Sequence, residues 1–119
     1  IDNLCMSSTP TRRDEIPPGT LEMLILQTVA RRREAHGFEI AEAIARASSE
    51  VLRVEEGSLY PALQRLLVKG WLVAEWGRTA ENRRARYYRI TAAGQRQLAH
   101  EVESYRRVSQ AIASILRPA

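Results

Sequence analysis

The predicted fold is decided by Gly57-Ser58-Leu59-Tyr60-Pro61-Ala62-Leu63-Gln64-Arg65-Leu66. Leucines recur in this stretch at helical spacing, which predicts a helix with one apolar face. Proline lacks the N–H that bonds four residues back, so we expect Pro61 within the first turn and Ser58 as the N-cap. Gly70 is placed to end the helix, because glycine is favoured just past a helix C-terminus.

After this helix the pattern changes to a period of two. Residues 71–76 and residues 86–91 each read as a β-strand, and the polar residues 77–85 join them. We therefore predict a β-hairpin whose tip is basic.

Two helices are predicted before the decisive stretch. Thr20 is suited to cap a helix over residues 20–32, in which apolar side chains return at helical spacing. His36-Gly37 breaks the pattern and serves the turn into a second helix, over residues 37–48. Residues 1–16 show no apolar periodicity and are predicted to be a disordered tail.

A long helix is predicted at the end of the chain, from Ala92 to about Arg117, with Thr91 as its N-cap. Its apolar residues recur at spacings of four and three, as in a heptad stripe. The helix either folds back on its own domain or pairs with a second copy, and its length favours pairing. The predicted dimer interface comprises Leu98, Val102, Tyr105, Val108, Ile112, Ile115 and Leu116.

Charge is concentrated in the hairpin region. The chain of 119 residues carries +4, and residues 77–96 alone contain six arginines against one acid, Glu81. A merely solvated surface mixes its signs more evenly, so this segregation favours a polyanionic partner. Only Lys69 among the 18 basic residues is a lysine. Arginine is better suited than lysine to donate two hydrogen bonds to a phosphate or a guanine edge.

Other functional classes find little support in the sequence. No apolar run approaches the roughly 18 residues of a membrane span. A single cysteine cannot form an internal disulfide, which favours a cytoplasmic location. We find no spacing typical of a metal site, a phosphate loop or a catalytic nucleophile, so neither a catalytic residue nor a cofactor is predicted.

The order of elements predicts a mainly α protein with a small β-hairpin, an α+β fold of the winged helix-turn-helix type with a long C-terminal helix. Residues 17–91 form the predicted DNA-binding domain and residues 92–119 the dimerisation helix. A helix fits the major groove of B-DNA, and a basic hairpin beside it reaches the neighbouring groove or backbone. The rival interpretation is a winged-helix protein–protein module whose arginines bind an acidic partner.

A family resemblance over residues 17–116 is carried by Gly19-Thr20-Leu21-Glu22-Met23-Leu24-Ile25-Leu26, His36-Gly37-Phe38-Glu39-Ile40, the decisive stretch, Gly70-Trp71-Leu72, Arg84-Ala85-Arg86-Tyr87-Tyr88-Arg89-Ile90-Thr91 and Gly94. In these motifs the sequence resembles the PadR family of bacterial transcriptional regulators. The resemblance implies a homodimeric repressor of short form that binds two-fold operators in double-stranded DNA, with a small apolar or aromatic effector in some members.

The predicted DNA contacts follow from this arrangement and from the family motif. We expect Tyr60 to bond a phosphate, with Ser58 as a secondary contact, and Gln64 and Arg65 to reach base edges from one shared face. Arg78 and Arg89 are either further contacts or ordinary strand-edge charges. The remaining predicted contacts are Arg83, Arg84, Arg86 and Tyr88.

Three aromatic residues complete the predictions. Tyr87 is expected to point into the core, because adjacent strand residues face opposite ways and Tyr88 is assigned to DNA. Trp71 and Trp76 are expected to be packing residues, and the alternative places one of them in an apolar effector pocket near the dimer helices.

Overall fold

A computed structural model describes residues 16–17 and 19–118 of the chain. Its strands form one antiparallel sheet in the order β1-β3-β2, and helices pack against that sheet, which confirms the predicted α+β class. The predicted disorder of residues 1–15 lies outside the described residues, whereas Ile16 packs against the core. The elements are α1 (Leu21–Arg32), β1 (Ala35–His36), α2 (Gly37–Ala47), α3 (Glu56–Val68), β2 (Leu72–Arg78), β3 (Arg84–Ile90) and α4 (Ala92–Leu116).

The core lies where α1 crosses the other helices and the inner face of the sheet. Most of its side chains are apolar residues of the helices, and burying each contributes about 1.5–3 kcal/mol. The largest fully buried residues are Ile25, Leu26, Val29, Ile40, Leu59, Leu63, Leu66 and Leu72. No helix in the described part of the chain is both long enough and apolar enough to cross a membrane.

The start of α3 differs from the prediction. Its N-cap is Glu55, not Ser58, and the N–H groups of Ser58 and Leu59 donate to the Glu55 carbonyl at 3.0 and 2.9 Å. Pro61 therefore lies past the first turn and removes the hydrogen bond to the Gly57 carbonyl. Gly57 is exposed, so water can satisfy that carbonyl, which is why the helix tolerates the proline.

The caps of α1 and α2 also differ from simple expectation. Thr20 precedes α1 as predicted, but its hydroxyl donates to the Pro17 carbonyl at 2.7 Å and caps nothing. His36 caps α2 instead: its Nδ1 accepts from the Glu39 N–H at 3.4 Å, and its own N–H donates to Glu39 Oε1 at 3.1 Å. The predicted His36-Gly37 turn is thus a reciprocal capping box.

Both strands of the hairpin reach further toward its tip than predicted, and its tyrosines face the other way. Its register sets Leu72 opposite Ile90 and Trp76 opposite Arg86. Tyr88 is 4% exposed and belongs to the core, whereas Tyr87 lies on the outer face with its hydroxyl donating to the Arg78 carbonyl at 3.0 Å. Side chains two residues apart share a face, so the core contact of Ile90 brings Tyr88 inward.

The start of α4 is joined tightly to the end of α3. Thr91 Oγ1 accepts from the Gly94 N–H at 2.9 Å, as predicted for an N-cap, and donates to the Gly70 carbonyl at 2.7 Å. A Cβ on Gly94 would lie far inside van der Waals contact of the Trp71 carbonyl oxygen and 2.8 Å from Ile90 Cγ1. Glycine at this position is therefore a requirement of the packing.

We predict that Gly94→Ala destabilises the protein by about 1–3 kcal/mol, because the steric conflict outweighs the helix propensity that alanine adds. The matched control is Gly57→Ala, also in the first turn of a helix, where a Cβ would meet nothing within 4 Å. That variant should be neutral or more stable. Urea unfolding followed by circular dichroism measures both, and a Gly94→Ala protein as stable as the wild type would contradict the close approach.

Candidate nucleic-acid interface

A cleft of about 550 Å³ lies between the hairpin, α3 and the N-terminus of α2. We call it the wing cleft. It brings together most of the residues predicted from sequence to contact DNA, although they lie on elements far apart in the chain. The predicted residues that line it are Tyr60, Gln64, Arg83, Arg84, Arg86 and Tyr88.

Tyr60 crosses from α3 to the beginning of α2. A Cβ on Gly37 would lie 2.7 Å from the Tyr60 hydroxyl oxygen and 3.0 Å from two of its ring carbons. Only glycine therefore lets the ring lie there. Tyr60 remains 48% exposed, and its hydroxyl lies at the positive end of the α2 dipole, where an anion is favoured.

The wing arginines lie against an aromatic surface. The guanidinium carbon of Arg84 is 4.5 Å from the centre of the Trp76 ring, and that of Arg86 is 5.8 Å from it and 5.9 Å from the Tyr88 ring. Trp76 was expected to be a packing residue, but it is 61% exposed. It lines the wing cleft, and so the alternative of an effector pocket beside the dimer helices does not apply to it.

The arginines of the hairpin fall into two groups. Arg89 forms an ion pair with Glu75 at 3.0 Å, and Arg78 donates to the Asn82 carbonyl at 3.0 Å, closing the loop. Within the described part of the chain, no ion pair involves the arginines that line the wing cleft. Of the hairpin arginines, those that line the wing cleft are therefore the ones best placed to meet an outside anion.

Tyr88 supports the wing cleft from beneath. Burial raises the pKa of its hydroxyl, and the positive charge of Arg86 partly opposes that rise. At 4% exposure it has little surface to offer to a phosphate. The prediction of a direct phosphate contact is therefore corrected to a role in the floor of the cleft.

The prediction that Arg65 shares the face of Gln64 is wrong, because consecutive residues on a helix diverge by about 100°. Its Nε lies 2.7 Å from Glu22 Oε2, and Lys69 Nζ lies 3.2 Å from the other oxygen of that carboxylate. Arg65 and Ser58 line a separate cavity of about 630 Å³. The structure thus ties Arg65 to α1 and separates it from the wing cleft.

Glu22 is the carboxylate that makes this tie. Partial burial alone would raise its pKa, but the hydrogen bonds and positive charges of Arg65 and Lys69 outweigh burial and leave the pKa below its ordinary value. The carboxylate is therefore ionised at neutral pH and links α1 to α3.

The predicted dimer stripe of α4 divides into two parts. Leu98 is 8% exposed and belongs to this chain's own core, and Val102 packs partly buried against the same core. Leu98 is thus corrected from an interface residue to a core residue. The later stripe residues, all at least half exposed, are Tyr105, Val108, Ile112, Ile115 and Leu116.

Sequence reasoning missed two aromatic residues of the cleft. Phe38 is 67% exposed at the start of α2 and lines the cleft, where its ring stacks near that of His36 at 6.5 Å. Trp76 shares the strand face of buried Leu72, so its position in the alternating pattern does not show that it lies beyond the core. A tryptophan in the core and one beyond it can be told apart only by knowing how far the core extends along the strand.

In the residues that the structure describes, no group of three His, Cys, Asp or Glu is placed to hold a metal ion.

We predict that Glu22→Gln lowers the free energy of unfolding at pH 7 by about 0.5–1.5 kcal/mol, a modest loss because its cationic partners are half exposed. Since folding lowers the pKa of Glu22, its contribution is present above the unfolded pKa and is lost as pH falls through the folded pKa. The difference between variant and wild type should therefore shrink at about pH 3.

Urea unfolding at the two pH values measures this effect. The control is Glu75→Gln, which removes a carboxylate that is 70% exposed and paired with one arginine, and which should change stability less at pH 7. A Glu22→Gln deficit of equal size at both pH values would show that the charge is not what links the helices.

The sequence pattern of the "Transcriptional regulator PadR-like family" matches residues 25–100 of the chain. A protein described as a transcriptional regulator from Mycobacterium tuberculosis is 38% identical over 72 residues, which cover 60% of this chain and 64% of that protein. The match to the family pattern includes α3 and the whole hairpin.

Solved structures agree with the fold. A transcriptional regulator from Clostridium thermocellum superposes with a TM-score of 0.75 at 25% identity, covering 83% of this chain and 95% of that one. A PadR family transcriptional regulator from Eggerthella lenta superposes with a TM-score of 0.71 at 28% identity, covering 85% of each chain. These similarities confirm the predicted winged helix-turn-helix fold.

Proposed function

Because the chain belongs to the PadR-like family of transcriptional regulators, we propose that it is a repressor that binds a two-fold DNA operator as a homodimer. Residues 17–91 bind one half-site, and residues 92–119 join the two copies. The observation that carries the proposal is the wing cleft, where cations without an acidic partner in the described chain lie beside α3. A function on chromosomal DNA places the protein in the bacterial cytoplasm, and no catalytic step is part of the proposal.

In this proposal α3 enters the major groove and the hairpin follows the backbone. Gln64 is exposed on the cleft side of α3, and its amide can donate and accept at an adenine edge. Tyr60 contacts a phosphate beside the N-terminus of α2. The basic cleft residues neutralise phosphates, which supplies affinity without reading sequence.

The exposed stripe of α4 supports the dimer. Apolar side chains there cover the last turns of a helix of 25 residues, far from the core that buries its first turns. A few base pairs touched by one winged helix are too few to mark a site in a genome, and a two-fold dimer doubles the site. Release by a small apolar or aromatic effector stays a prediction of the family resemblance.

The rival function is a protein–protein module in which the wing binds an acidic surface. Both functions use the same arginines, so the salt dependence of DNA binding separates them. Binding to duplex DNA releases condensed counterions, and log affinity then falls steeply and linearly with log salt concentration.

We predict that Arg83→Ala with Arg84→Ala weakens binding to any duplex DNA and flattens its salt dependence. If each arginine neutralises one phosphate, the slope of log affinity against log salt falls by about 0.9 per arginine. Fluorescence anisotropy with a short mixed-sequence duplex at several salt concentrations measures both quantities.

The matched control is Arg46→Ala with Arg89→Ala, which removes the same charge from two arginines that are paired with Glu42 and Glu75. Its slope should stay at the wild-type value. Equal slopes for the wing variant and the wild type, in a folded protein, would remove the wing from the DNA interface.

We predict that Ile112→Glu with Leu116→Glu gives a folded monomer. Both side chains are at least half exposed in one chain, so the fold survives, whereas a dimer would bury the two carboxylates at a cost of several kcal/mol each. The monomer should retain weak, salt-sensitive DNA binding and lose tight binding to a two-fold site selected from a random duplex library.

The control is Gln110→Glu with Ser114→Glu, which adds the same charge on the opposite side of α4. Light scattering gives the mass of each variant and circular dichroism its helix content. A stripe variant that stays dimeric would place the interface elsewhere, and one that unfolds would assign this end of α4 to the domain's own core.

A further inference from the structure

We infer that Trp76 is a positioning residue of the DNA-binding surface, whose indole holds the guanidinium groups of Arg84 and Arg86 ready for phosphate. The inference rests on the proposed function and adds a named residue with a distinct role. Trp76 reaches DNA through these arginines and makes no DNA contact of its own.

The position of Trp76 is unusual for a tryptophan. It lies on the face of β2 that carries buried Leu72, yet it is 61% exposed because the core ends before the strand does. A large apolar side chain left in water gains little from the hydrophobic effect. Its contacts are instead with two cations, Arg86 directly across the sheet and Arg84 at 4.5 Å.

An aromatic partner suits an arginine that has to bind an anion. A free arginine loses the freedom of a long side chain when it binds, and a ring that already holds it reduces that loss. The N–H donors lie in the guanidinium plane, so contact with a π face leaves them free to grip a phosphate. A carboxylate partner would order the side chain too, but would neutralise it.

The test compares Trp76→Leu, which keeps an apolar side chain without a π face, with Trp76→Phe, which keeps a smaller π face. With a short mixed-sequence duplex, Trp76→Leu should weaken binding about three- to tenfold. Its slope of log affinity against log salt should equal the wild-type slope, since both arginines still neutralise phosphates in the complex. Trp76→Phe should recover most of the affinity, and Arg84→Gln should lower the slope by about 0.9.

A double-mutant cycle separates positioning from direct contact. In a chain that carries Arg84→Gln with Arg86→Gln, the further change Trp76→Leu should have no effect on affinity. If it costs as much there as in the wild type, then Trp76 touches DNA itself and the inference is wrong.

A measurement on the free protein keeps this test distinct from the test of function. Protons above an indole face are shifted upfield by its ring current, so the side-chain protons of Arg84 and Arg86 should move downfield in Trp76→Leu. Shifts that do not move would overturn the inference. So would unchanged affinity in Trp76→Leu while the wild type binds DNA, and the proposed function would then stand. A wild type that binds no duplex would overturn the proposed function itself, whatever the shifts show.

Discussion

The register of the β2–β3 hairpin is the constraint on which the candidate site depends. Side chains two residues apart share a face of a strand. The face that buries Tyr88 and packs Ile90 against the core therefore carries Arg86 and Arg84 onward, past the edge of the core and into the wing cleft. A slip of one residue would turn the arginines to the opposite face and expose the tyrosine. Burial of the hydrophobic residues thus determines the face of β3 to which the arginine side chains point.

The other end of the hairpin holds α4. The backbone N–H of Thr91 donates to the Trp71 carbonyl at 3.0 Å, and its side chain bonds Gly70 and Gly94. The hairpin, α3 and α4 therefore meet at one junction, where Gly94 has no room for a Cβ. In a dimer formed through the exposed part of α4, the distance between the two wings would depend on the geometry of this junction.

Much of this fold could be predicted from sequence because period and length are properties of single elements. The helices and the hairpin are found where apolar spacing placed them, and Gly70 ends α3 with a left-handed φ of 78°. The two-residue β1 is too short to show a period. The cap of α3 was misplaced because the rule against proline past the first turn assumed a carbonyl that water cannot reach.

The site was less predictable, because side-chain partners come from elsewhere in the chain. Arg65 is engaged by Glu22, 43 residues earlier, and no local pattern reveals that pair. For Tyr87 and Tyr88 the expectation that they face opposite ways was correct, but the choice of which one faces the core was wrong. Trp76 follows the core phase correctly, but alternation cannot say where along a strand the core ends.

The partners of the cations also explain how a chain of net charge +4 can present a strongly basic surface. Arg65 and Arg89 lie beside carboxylates, which fix their positions and cancel their charges. Arg84 and Arg86 lie beside the ring of Trp76, whose contact leaves the positive charge in place. The same residue type thus ties elements together at one site and offers charge to solvent at another. The field that a polyanion meets is set by the second group, and it is stronger than the net charge of the chain implies.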